Sequence, residues 1–309
     1  MRPINENYST VGIEADVRWW GKTKFVVHHN SDNIPVLLSG RIDELNNAVN
    51  EILEYINLCT GTDISIIRDD NIDIYDMEDG IIGLGWTQDI GNMILGQSMN
   101  WPATVDSNQT FVDNKIRMNR DSFFFKYQGE STFWLAVEVI VHEIMHTYCA
   151  GHTTMGFSIM YPNFEWLVER ARLIPHAADL FYMNYLKQRK IRQNVKTNLD
   201  NDMVMRPALV RARGIPAHHD LHIPLLRHKD KAYAVVLSRQ SDSRYRVTET
   251  IAYDEFMNNL RDFTLKEYVR TEDRSINLPN LYVIGRGNHK ATLEMDDDGC
   301  FRVTYYEKL

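Results

Sequence analysis

Cysteine is scarce: Cys59, Cys149 and Cys300 are the only three in 309 residues. They are too few and too scattered for a disulfide framework. No run of about 18 apolar residues occurs, so no transmembrane helix is expected. The first seven residues, Met1 to Asn7, lack the apolar core of a signal peptide. A basic surplus is missing as well: the net charge is −8, and nothing points to a nucleic-acid surface. Internal repeats, low-complexity tracts and coiled-coil heptads are absent. The location is left open between an intracellular protein, a protein released by another route such as cell lysis or virion assembly, and a processed form of a secreted protein.

Hydrophobic residues make up 44% and charged residues 25% of the chain, the balance of a globular protein able to bury a core. A length of 309 residues is a prior for two domains. The charge is uneven. Before residue 196, 16 Lys and Arg face 25 Asp and Glu; from 196 onward, 18 face 17. A polar stretch at 194–202 reads as a linker. The predicted division is an N-terminal arm (1–16), a first domain (17–193) and a β-rich domain (194–309). The predicted fold class is α+β.

Along the chain, Lys24 to His29 predicts the first strand. Leu45, Val49, Ile52, Leu53 and Ile56 recur at helical spacing, with Ser39 as candidate cap and Cys59-Thr60-Gly61 as the end. Strands are expected at Ile64–Ile67, at Ile81–Trp86, after a turn at Gly91 over Ile94–Met99, and at Ile116–Asn119. A helix follows from about Phe133 to about Tyr148, with Ser131 or Thr132 as cap. Further helices are expected at 164–172 and 175–190. In the last third, strands are expected near 232–237, 245–251, 281–284, 291–295 and 301–306, with one helix near 253–263. Turn chemistry marks Gly285–Asn288 and Asp296–Gly299.

The stretch His142-Glu143-Ile144-Met145-His146 carries the chemistry. Residues four apart share a helical face, so His142 and His146 can point at one centre. Two imidazoles one turn apart suit Zn²⁺. Glu143 falls on the same rim without taking a ligand position. A catalytic zinc wants three protein ligands and one open position, and His152, six residues on, is the third candidate. It is too far along to share that face, so the helix must end near Cys149–Gly151 and the chain must turn back. An ordinary core helix explains Val137, Val141, Ile144, Met145 and Tyr148, but not three histidines and a glutamate in this register.

This pattern, H-E-x-x-H-x-x-x-x-x-H followed by Ser158-Ile159-Met160-Tyr161-Pro162, resembles the metzincin zinc metalloproteases, closest to the matrixin branch. The resemblance spans about residues 17–190, and 142–162 carries its motifs. It implies a twisted, mostly parallel sheet with an active-site helix, a Met turn at Met160 and a C-terminal helix. It implies a zinc endopeptidase with one catalytic Zn²⁺ on His142, His146 and His152, and Glu143 as general base. It also implies that Tyr161 and Pro162 line the substrate pocket, and that 94–99, with Leu95 and Gln97, forms the cleft's upper edge, where an extended peptide adds as a strand. Other branches carry a Tyr zinc ligand where Pro162 stands, so none is implied here. The family has Gly in place of Cys149; either Cys149 takes that positive φ or Gly151 takes over the turn.

Other polar clusters have blander readings. His28 and His29 read as strand or rim histidines. The acidic run from Asp69 to Gly80 reads as a solvated loop or strand edge, with a structural Ca²⁺ as the weaker alternative. His218-His219-Asp220-Leu221-His222 reads as an exposed polar loop rather than a second metal site. The expected partner is a peptide or protein substrate, and the C-terminal domain is expected to dock substrate or an assembly partner. Two other functions compete: a zinc-stabilised structural or binding protein, such as a virion or surface-assembly component, and a zinc hydrolase acting on other bonds.

Overall fold

The computed structural model describes residues 24–76, 81–91, 94–102, 111–122, 125, 129–147, 152, 159–160, 202–204, 207–211, 219–228, 231–252, 264–266, 269–272, 274–284 and 286–309. The expected arm at 1–16, the helices at 164–172, 175–190 and 253–263, and residues 149, 151, 161 and 162 lie outside them.

The first unit is a five-stranded sheet with two long helices. Its strands are β1 (Lys24–His29), β2 (Asp63–Arg68), β3 (Ile82–Thr87), β4 (Gly96–Pro102) and β5 (Phe111–Asn119), in the order β2-β1-β3-β5-β4. β1 alternates, burying Phe25, Val27 and His29. β3 is buried at every position, as a central strand covered on both faces must be. All pairings are parallel except β4 with β5. β4 is therefore an antiparallel edge strand.

A single turn, α1 (Val36–Ser39), precedes the long helix α2 (Ile42–Thr60). The expected cap at Ser39 is incorrect. Ser39 closes α1, donating its hydroxyl to the Val36 carbonyl at 2.9 Å, because Pro35 starts a turn earlier than the periodicity shows. Arg41 takes the capping position without a side-chain cap. Its guanidinium instead grips both oxygens of Glu44 at 2.6 Å and lies 4.0 Å over the Phe133 ring. Gly61 ends α2 at φ 63°, a left-handed cap that only glycine adopts without strain.

α2 also protects the sheet edge. Asn50 both donates to the Ile66 carbonyl and accepts from its N–H, each at 2.8 Å. Asn57 does the same for Ile64, at 2.8 and 2.9 Å. Two amides seven residues apart on one helical face thus pair with alternate residues of β2, satisfying backbone groups that an edge strand leaves open. Asn57→Ala is expected to lower stability by roughly 2–3 kcal/mol, since three part-buried bonds, two to Ile64 and one from the Thr62 hydroxyl, are lost together; urea melts would show it, and an unchanged midpoint would refute the edge-capping role.

Helix α3 (Gly129–His146) is buried on all sides: Leu135, Val139, Ile140, Val141, Ile144 and Met145 are each at most 5% exposed. The helix starts two residues before Ser131, so the cap expected at Ser131 or Thr132 is also incorrect; both lie inside it. An all-round apolar helix needs packing on every side, and α3 finds it between α2 and strands β4 and β5.

In the same core, the Trp86 indole donates to His29 Nε2 at 3.0 Å, and His29 Nδ1 meets Asn46 Oδ1 at 2.7 Å. His29 is thus a neutral, fully satisfied core histidine. Burial pushes its pKa down to about 4 against the opposing Asn46 bond. The unfolded chain takes up that proton near pH 6.5 and the folded chain only near 4. Stability is therefore intact above about 6.5 and falls as the pH drops towards 4. A loss of roughly 2 kcal/mol between pH 7 and pH 5 is expected from this group, and His29→Gln should flatten that part of the urea-midpoint profile.

The second unit is a small barrel. Strands β7 (Ala208–Arg211), β8 (His219–His228), β9 (Lys231–Arg239), β10 (Tyr245–Ala252), β13 (Ser275–Val283), β14 (Gly287–Met295) and β15 (Phe301–Lys308) form it. They run β13-β14-β15-β10-β9-β8-β7, and β7 closes on β13. β12 (Val269–Glu272) bridges β13 and β8, while β6 (Asp202–Val204) and β11 (Thr264–Lys266) pair separately. The polar-loop reading of 218–222 is overturned: His219 to His222 open strand β8. Asp220 and Leu221 are buried, 5% and 2% exposed, because Leu221, Ile223 and Leu225 continue an apolar alternation that outweighs the polar residues between them. Pro224, which lacks an N–H, sits where the β8–β9 register shifts, as proline in a strand requires. Tyr55 of α2 stacks on Tyr282 of β13 at 6.3 Å, joining the two units. Among the described residues no helix is long and apolar enough to cross a membrane.

Candidate metal centre

The last turn of α3 presents His142 and His146 one turn apart, and the chain returns so that His152 joins them. Nε2 of His142 lies 3.0 Å from Nε2 of His146 and 3.3 Å from Nε2 of His152. The three ligand atoms lie within 4.8 Å of one another. Tetrahedral zinc with nitrogen arms of about 2.0–2.1 Å separates two of its ligands by roughly 3.3 Å. The ring planes of His142 and His146 stand at 88°, so the nitrogens meet at a point rather than stacking.

The proton positions fit a cation too. His142 Nδ1 donates to the Ile159 carbonyl at 2.5 Å, so Nε2 carries the free lone pair, in the arrangement by which an outer carbonyl orients a metal-binding histidine. Burial holds the His152 pKa below its ordinary value, which favours the neutral ligand form. Ile159 and Met160 are fully buried, forming the turn that supplies that carbonyl. These residues fit a zinc ion. Among the described residues no other three His, Cys, Asp or Glu side chains converge in this way. In the acidic run, Asp69 pairs with His28 at 2.9 Å, and Asp70 binds Ser31 and Arg68.

Glu143 is 4% exposed, and its Oε2 has no hydrogen-bond partner. Burial pushes its pKa up to about 8, opposed only by a backbone hydrogen bond from Ser98 of β4. The neighbouring strand comes unusually close. A Cβ on Gly96 would lie 2.9 Å from Glu143 Cγ, from Glu143 Oε1 and from Val139 Cγ1. Only glycine lets β4 approach the glutamate so closely, because any side chain would collide with both residues.

Of the other candidate residues, Leu95 is 4% exposed within the core. Gln97 lies on the exposed side of β4 and accepts from Arg117, which also binds Asp89 at 2.6 Å. Gly96, Ser98 and Ile159 were not singled out from the sequence. A glycine inside a strand was the one available signal, for Gly96; the other two act through backbone atoms, which any residue supplies. Compared with known proteins, the chain matches no protein-family model and no curated protein.

Proposed function

We propose that this chain is a zinc-dependent endopeptidase of the metzincin type, with one Zn²⁺ on His142, His146 and His152. The observation that carries the proposal is the convergence of three Nε2 atoms next in sequence to a buried carboxylate with an unsatisfied oxygen. Zinc, when bound, supplies a Lewis acid that acidifies water and polarises a carbonyl.

The chain's own residues do the rest. His142, fixed in one tautomer by Ile159, and the neutral His152 offer lone pairs without releasing protons. Zinc held by the triad would favour the carboxylate form of Glu143, against the burial that raises its pKa. Glu143 Oε2, free of other hydrogen bonds, accepts a proton from the attacking water and returns it to the departing amine. The Ser98 backbone bond holds the carboxylate in place. Among the described residues β4 pairs only with β5, and an extended substrate adds to its other side by strand pairing.

The test is metal content together with a peptide-cleavage profile. About one zinc per chain and cleavage of an unstructured protein are expected. Folded protein without zinc would overturn the proposal; zinc without cleavage would favour a binding or structural protein instead.

A further inference from the structure

We infer that the mouth of the C-terminal barrel is a second binding site, for an amphipathic monocarboxylate with a single acyl chain. A cavity of about 1100 Å³ opens there, between the barrel, the outer face of α2 and the start of α3. That volume suits a ligand of drug size or larger. Its floor is aliphatic, made by Leu221, Leu278, Leu281 and Leu293 from three different strands. These side chains are at most 3% exposed, so the floor is a wall of the barrel core.

Four arginines stand at the rim, and they differ in their partners. Arg244 is held by Asp242, Asp296 and Asp298. Arg302 shares Asp296 at 3.6 Å. Arg239 donates to the Ser243 hydroxyl at 2.8 Å, and among the described residues no carboxylate pairs with it or with Arg286. Of the acids on the α2 wall, Glu44 is neutralised by Arg41, and Glu51 also lines the cavity. Two guanidinium groups without acids, above an apolar floor, call for one anionic end and one apolar tail. The planar donor fork of arginine matches a carboxylate in particular. The site is separate from the histidine triad: Phe133 and Trp134, which line it, stand nine and eight residues before His142 on α3, some 13 Å along the helix axis.

The test is calorimetric titration of the full chain with dodecanoate, dodecanol and acetate. Dodecanoate is expected to bind saturably and at least tenfold more tightly than either of the others. The double substitution Arg239→Gln and Arg286→Gln, on surface groups that leave the core intact, is expected to weaken dodecanoate at least tenfold and to leave dodecanol unchanged. Absence of saturable dodecanoate binding would overturn the inference. So would full affinity in the double variant, which would put the carboxylate elsewhere, the histidine triad included. Equal binding of dodecanol and dodecanoate would reduce the site to an apolar cavity and overturn the carboxylate assignment.

Discussion

Glu143→Gln is expected to lower peptide hydrolysis by roughly 10²–10⁴-fold, the contribution of a positioned general base, while zinc stays at about one per chain. Gln keeps the size of the side chain and its bond to the Ser98 backbone through the amide oxygen, but it cannot take a proton. Glu143 Oε2 has no other hydrogen-bond partner, so it is open to the proton of the attacking water. The measurements are kcat on a fluorogenic peptide and elemental analysis of the same sample. Wild-type turnover in the variant would remove Glu143 from the chemistry. Loss of zinc would show instead that the glutamate holds the site together.

The second large effect is expected from Gly96→Ala. The added methyl would lie 2.9 Å from two atoms of Glu143 and from Val139 Cγ1, closer than real Cβ atoms come. Either β4 withdraws or the carboxylate turns away. In both cases the Ser98 bond is strained and the general base leaves its position. Overpacking of this kind costs about 1–3 kcal/mol, and displacement of about 1 Å at a reacting group costs on the order of 10²-fold in rate. The expected result is a loss of kcat near 10²-fold with zinc retained. The double variant Gly96→Ala, Val139→Ala relieves only the aliphatic clash, so most of the rate loss should persist. Full activity in Gly96→Ala would show that the strand's approach to Glu143 does not matter.

Much of the secondary structure was legible in the sequence, and its errors share a cause. β1, β2, β3, β9, β10, β14 and β15 fall where apolar alternation and turn residues put them. Gly61 ends α2 as its residue type demands. The misplaced features were helix starts and the first part of β13, and strands β6, β7, β8, β11 and β12 were not expected. Ser39, Ser131 and Thr132 are good capping residues by type, yet Pro35 and the packing of α3 moved the helix ends past them. His219 to His222 were read by their polarity, whereas the barrel reads them by alternation, burying Leu221 and Ile223 beneath β9. Local propensity is worth tenths of a kcal/mol, and burial of one leucine is worth about 1.5–3; where the two disagree, packing decides.

The sequence by itself determined the ligand types, their spacing of four and six residues, and the need for a turn between His146 and His152. Those follow from helical geometry and from the chemistry of imidazole, neither of which requires knowledge of the rest of the chain. Only the tertiary structure decided that Ile159 fixes the tautomer of His142, that Gly96 lets β4 touch Glu143, and that the barrel mouth faces α2 with two arginines that no carboxylate among the described residues pairs. Each of these joins atoms far apart in the chain, two of them through backbone groups that every residue shares. Such contacts leave no mark in residue type and appear only once the chain is folded.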